Sequence, residues 1–361
     1  MNKTTKYFVA SVAAVFGVFA QEADALKIGS GVLSAQVSYR GMYDSNLLKY
    51  SLNDRDRFLN DIEPHRSNLR TLDDLRSDFK LSTSYSMKAW GRREACLSAV
   101  FNFAQHLMNP VKNFGWMSLT ATQELSAAWS TSLNYFFDKD YYIREYNDVH
   151  TATREPCEFS MDQWTGRINF RPVKRFEFVG LLQNKKYAYN KYFTEYDSDC
   201  YQYGGEIIYR TGPWRLALGY SLGDNQNVGY NKYYQHPAVI DSVEDSEEGQ
   251  SDYQQDSYSV SIRYAFRLMG KRSRVLLDAS FDDRYYTTRL SAVVDPFHSS
   301  RNDRNLTIEM SARSDVNKAL SVEVGSGFSS RRSKAPSPVV SRVKDFDRII
   351  CWLELGYDLG L

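Results

Sequence analysis

The chain has 361 residues, room for one large domain or two ordinary ones, and its 45 Lys and Arg nearly balance its 44 Asp and Glu for a net charge of +1. That balance excludes the basic footprint that nucleic-acid binding needs, so no nucleic-acid partner is expected. Aromatic residues make up 14% of the chain, with 26 Tyr against nine Pro, a bias toward strands.

The N-terminus comes first. Lys3 and Lys6 precede an apolar run at residues 8–20, and Ala23-Asp24-Ala25 follows as a small-x-small cleavage pattern. This order is that of a secretory signal peptide, residues 1–25, and leaves 26–361 as one exported domain. The run is short for a membrane anchor, and no Cys stands at the cleavage point for lipid attachment. No later stretch approaches the roughly 18 apolar residues of a membrane helix. A membrane form of this chain must therefore be a closed barrel, because only helices and barrels satisfy every backbone group in lipid.

The dominant period is two. In residues 75–89 one face carries Leu75, Phe79, Leu81, Tyr85, Met87 and Ala89 beside Ser77 and Thr83. The other face carries Arg76, Asp78, Lys80, Ser82, Ser84, Ser86 and Lys88. A pleated strand sends successive side chains to opposite faces, and this run is much longer than a typical globular strand. Further segments repeat the dyad, with apolar series that begin at Leu33, Ala95, Met117, Trp129, Trp164, Phe176, Tyr203, Trp214, Tyr258, Val275, Leu306, Leu320 and Leu353. Short turns near Gly91, Glu124, Arg171, Arg210, Met269 and Asp315 alternate with longer links, the longest at residues 44–73 and 223–252. The pattern predicts an all-β, antiparallel up-and-down barrel of about fourteen strands, with 12 or 16 as the neighbouring solutions.

The chain ends on Glu354-Leu355-Gly356-Tyr357-Asp358-Leu359-Gly360-Leu361. This resembles the C-terminal signal of bacterial outer-membrane β-barrel proteins of the porin-like kind: polar, any, Gly, any, any, hydrophobic, any, hydrophobic. The last residue departs from it, being Leu where many members carry Phe or Trp. The resemblance implies a transmembrane barrel in a Gram-negative outer membrane with both termini periplasmic. It also implies insertion by the barrel-assembly machinery through the last strand, and contact with outer-membrane lipid and lipopolysaccharide. It implies neither a solute nor an oligomeric state.

The polar faces would line the lumen. Asp278, Glu309, Glu323 and Glu354 lie roughly five to seven residues from their periplasmic strand ends and are expected to form an acidic wall at one depth. Arg40, Lys80, Arg167 and Arg263 are the lumen cations elsewhere. Opposed charge of this kind tunes ion selectivity, which points to a channel for passive diffusion of small hydrophilic solutes. The alternative is a surface-exposed binding or structural barrel for a glycan or envelope partner, without an open pore.

Tyrosines gather at the outer strand ends: Tyr141-Tyr142, Tyr187, Tyr189, Tyr230, Tyr233-Tyr234 and Tyr285-Tyr286. The plain expectation is the aromatic girdle of the membrane interface. The repeated patterns Asn190-Lys191-Tyr192-Phe193 and Asn231-Lys232-Tyr233-Tyr234 suggest an extracellular ligand platform of Tyr192, Tyr233 and Tyr234. The acidic residues 241–249 lack the spacing of a calcium loop and read as solvated surface. Four scattered Cys lack metal-site spacing, and only Cys157 and Cys200, near outer strand ends, suit a bridge. Neither a G-x-S-x-G elbow nor an H-E-x-x-H helix occurs, and the five His fall mostly in links, so no enzyme, cofactor or metal is expected.

Overall fold

A strand in hydrocarbon needs a hydrogen-bonding partner on both sides, and the topology meets this demand by closure. The computed structural model describes residues 26–60, 68–147, 153–229, 251–293 and 295–359. A short strand, β1 (Leu26–Ile28), folds back on β2 (Gly31–Asp44). There follow β3 (Asp74–Ala89), β4 (Arg93–His106), β5 (Phe114–Glu124), β6 (Trp129–Asn147), β7 (Arg154–Val173), β8 (Phe176–Tyr189) and β9 (Ser198–Thr211). Then come β10 (Trp214–Asn227), β11 (Tyr253–Leu268), β12 (Lys271–Tyr286), β13 (Asn302–Asp315), β14 (Leu320–Lys334) and β15 (Phe346–Asp358). From β2 to β15 each strand pairs antiparallel with its sequence neighbours, and β15 returns to β2 with Ile350 opposite Asp44 and Asp358 opposite Gln36. The result is the expected closed up-and-down barrel of fourteen strands.

Alternation decides which side chains meet lipid. Leu97, Leu133, Leu182, Leu218, Ile308 and Val324, drawn from six different strands, are all exposed on the outer surface. The mean hydropathy of −0.51 is low for a membrane protein because only this one face is apolar. Outward aromatic pairs sit at the short-turn rim: Trp129 with Phe170 at 4.4 Å, Trp214 with Tyr264 at 4.5 Å, and Phe176 with Tyr209 at 4.9 Å. One of those turns shows how tightly the rim is made. Leu268 pairs with Lys271, leaving Met269 (φ 49°) and Gly270 (φ 77°) as a two-residue connection. Two consecutive left-handed residues match the twist of the flanking strands.

The long links pack over the other rim. The link at 45–73 carries α1 (Leu52–Leu59), whose N-cap Ser51 accepts from the Asp54 amide. Leu47, Leu48, Tyr50, Leu69 and Leu72 form its own small core. The link at 335–345 carries α2 (Pro338–Lys344), whose Val340 and Val343 bury against Phe297 from the link at 287–301. Among the described residues no helix is long and apolar enough to cross a membrane.

Cys157 and Cys200 do not form the bridge considered for them; both are buried free thiols. They lie on β7 and β9, and β8 runs between. Two strand spacings are about 9–10 Å, beyond the roughly 7 Å between Cα atoms that a disulfide spans. Intact protein is expected to keep the same mass under non-reducing and reducing conditions; a two-hydrogen difference would contradict this placement.

The two faces of β13 should respond oppositely to charge. Ile308→Arg places a guanidinium in hydrocarbon near mid-strand and should cost about 2–4 kcal/mol in urea unfolding from lipid vesicles. Thr307→Arg on the inner face should leave the midpoint nearly unchanged.

Candidate functional site: the lumen and its outer vestibule

The strand parity that turns apolar residues outward turns all eight sequence-selected charges inward. Their register changes one expectation. Asp278 stands directly opposite Glu309, and Glu323 directly opposite Glu354, but Glu309 faces Gly327, four residues along β14 from Glu323. The acidic residues are two like-charged pairs at two levels, not one wall at a common depth. Like charges directly opposite one another are unfavourable, so each pair needs other partners.

At the lower level those partners are present. Arg40 Nε donates to Glu354 at 2.7 Å, and Lys80 Nζ lies 3.5 Å from the other carboxylate oxygen. Glu323 stands opposite Arg313 and accepts from Trp352 Nε1 at 3.2 Å, while the Arg40 guanidinium sits 5.5 Å from the Trp352 ring. Arg263 shares its surroundings with Arg210, Arg215, Arg274 and Asp278, and its Nε finds no hydrogen-bond partner among the described residues. Arg167 is exposed inside the barrel. It lines a cavity of about 380 Å³ with Lys185, Gln202, Gln255, Ser259 and Asp282.

A second cavity, about 370 Å³, opens nearer the outer rim, where Lys49, Arg284, Arg331 and Arg348 face Asp282 and Glu309. Sequence reading missed these cations as a group because Lys49 comes from a link. Asn46 carries that link inward: its Nδ2 donates to the Tyr50 and Asp347 carbonyls at 2.8 and 2.9 Å, and its Oδ1 accepts from the Tyr50 amide at 2.8 Å. Arg348 is committed to Asp44, its Nε donating at 2.9 Å. Lys49 has φ 54° and a side chain open to the water of the mouth, yet ringed by protein. That surrounding protein, and then Arg348 and Arg331, pushes its ammonium down to about 8.

The tyrosines also require a correction. Tyr187 and Tyr189 share parity with Lys185, and Tyr286 with Asp282 and Arg284, so these rings face the lumen and not lipid. They join a run of ring contacts along the inner wall: Phe114 to Tyr141 at 5.2 Å, Tyr141 to Phe159 at 5.4 Å, and Phe159 to Tyr187 and Tyr189 at 5.4 and 5.6 Å. Counting by twos from the lipid-facing Phe176 and Phe178 would have revealed this. Tyr285 does face outward. Tyr192, in the β8–β9 link, is half-buried with the Lys191 ammonium 4.7 Å from its ring. Tyr230, Tyr233, Tyr234 and the acidic stretch 241–249 lie outside the described residues, as do residues 1–25.

A closed fourteen-stranded wall, apolar outside and charged within, has one natural solvent on its outer face. The chain is built as a membrane-spanning β-barrel. Solved structures similar to it include the outer membrane channel DcaP of Acinetobacter baumannii, at 10% identity and TM-score 0.47 over 93% of this chain and 99% of that one. An anion-selective porin from Comamonas acidovorans matches at 8% identity and TM-score 0.46, covering 91% and 99%. OmpT, an outer membrane protein of Vibrio cholerae, matches at 8% and 0.45, covering 93% and 100%. No protein-family model matches the sequence, and no curated protein does.

Glu354 is the acceptor that holds Arg40 and Lys80 across the barrel's closing strands. Glu354→Gln should lower stability by about 1–3 kcal/mol, the scale of a charged hydrogen bond lost from a mostly buried site. Arg40→Gln should cost less, since Lys80 remains. Urea-unfolding midpoints of the two variants in vesicles check the order.

Proposed function

We propose that this barrel is a channel for passive diffusion of small hydrophilic solutes across the outer membrane. The supporting observation is a charged inner face reached by water: Arg167, Ser259 and Lys49 point inward and are nonetheless exposed. In this reading Asp278, Glu309, Glu323 and Glu354 act against Arg40, Lys80, Arg167 and Arg263 to set a field across the lumen, and Lys49 and Arg284 extend it to the mouth. Residues 1–25 direct export, the last strand is read by the barrel-assembly machinery, and lipopolysaccharide surrounds the outer rim.

The packing of the links at 45–73, 287–301 and 335–345 over the outer rim favours a second reading, a binding or structural barrel with a closed mouth. Liposome swelling separates the two. Uptake of small sugars, falling with sugar size, supports the channel; vesicles that stay impermeable to the smallest support the closed barrel.

Selectivity gives a finer check. In planar bilayers, Glu309→Gln with Glu323→Gln should shift the reversal potential toward anion preference, and an unchanged potential counts against the proposed field. Lys49→Gln should shift it the other way. Lys49 is cationic below its pKa of about 8 and loses its charge as pH rises through that value. Anion preference should therefore fall between pH 7 and 9 in the parent protein and stay flat in Lys49→Gln.

A further inference from the structure

The outer third of the lumen has two unlike walls. On a closed ring of fourteen strands β7 stands seven steps from β14 in either direction, so the two are diametrically opposed. The rings of Phe114, Tyr141, Phe159 and Tyr187 form a run centred near β6 and β7. Arg284, Arg331 and Arg348, with Lys49 from above, line the opposite side. The walls meet between β8 and β12, where Lys185, Tyr187 and Tyr253 each lie within electrostatic reach of Arg284. There the Arg284 guanidinium sits 4.0 Å from the Tyr253 ring centre and donates twice to Gln255 Oε1, at 3.1 and 3.0 Å.

This arrangement selects for two properties in one solute. Ring faces and edges gain from contact with another flat ring. Guanidinium and ammonium groups gain from a carboxylate, which Arg can hold through paired donors. The carboxylates that share the outer cavity are Asp282 and Glu309, against four cations, and Asp44 is already spent on Arg348. A neutral sugar would leave that positive excess unanswered, and an aliphatic acid would leave the rings unmatched. We propose that the outer vestibule binds small carboxylates that carry an aromatic ring, the ring against Tyr187 and Phe159 and the carboxylate on Arg284 and Lys185. The proposal rests on the lumen being open to solute from outside, as the channel reading holds.

The test uses the full-length protein refolded in detergent, titrated calorimetrically with benzoate, cyclohexanecarboxylate and benzyl alcohol. Benzoate should bind roughly two- to tenfold more tightly than cyclohexanecarboxylate, the gain that one aromatic contact provides, and benzyl alcohol should not bind measurably. Tyr187→Leu should bring benzoate down to the level of cyclohexanecarboxylate, while Tyr187→Phe keeps the difference; Phe159→Leu serves if Tyr187→Leu fails to refold. Arg284→Gln should abolish binding of both acids. Equal affinity for the two acids, or benzoate binding indifferent to all the ring variants, overturns the proposal. Potassium chloride current through the barrel without benzoate binding removes this inference and leaves the channel standing. Benzoate binding to a barrel that carries no current does the reverse.

Discussion

The structure depends first on the impossibility of leaving backbone polar groups bare in hydrocarbon. A row of unpaired N–H and C=O groups costs several kcal/mol per group there, which rules out any sheet with an edge. The pairing of β15 with β2 is therefore the contact on which all the other ladders rely. It is reinforced from within: Arg348 donates to Asp44, and Arg40 to Glu354, across the same two strands. Polar interior and apolar exterior follow from closure, because a pleat has two faces and only one of them can meet lipid.

The fold was legible because lipid imposes a strict period on sequence. Residues 75–89 keep the alternation with only Ser77 and Thr83 on the apolar face, and they lie in one strand, β3. The short turns and the 45–73 link also fell where the sequence put them, whereas β10 runs on to Asn227, into the link expected from 223. Legibility weakened wherever parity was not carried to the strand's end. Tyr187 and Tyr189 looked like membrane girdle because they are tyrosines near a rim, yet their parity with Lys185 turns them inside. Outward rings do stand at both rims, Trp129, Phe170, Trp214 and Tyr264 at the short turns and Tyr43, Phe103, Tyr201 and Tyr285 toward the long links.

Sites built across strands were less legible still, for a physical reason. Parity fixes the face but not the depth; depth follows from register, which no single strand encodes. The turns read from sequence set the four acids at one depth, but the short-turn ends of β14 and β15 lie only three and four residues from Glu323 and Glu354, against seven and six for Asp278 and Glu309, and the β13–β14 pairing sets the two pairs four residues apart. Lys49 was illegible altogether, because its place in the mouth comes from Asn46 binding the Asp347 carbonyl at the outer end of β15. The outer cavity thus joins a link residue to four strands, β12 to β15, while the lower charges are strand residues alone. Any change in the 45–73 link acts on the mouth first and on the lower ion pairs little.

The seam has one more consequence. Arg40 and Glu354 stand 314 positions apart along the chain, whereas every other ladder joins strands adjacent in sequence. Hairpins of that local kind form early, and a contact so remote pays its loop-closure entropy last. Until the terminal dozen residues arrive, the nascent polypeptide is a curled ribbon with two raw margins, each a template for a stranger's strand. The clasp that finishes the cylinder is also what ends its vulnerability to clumping.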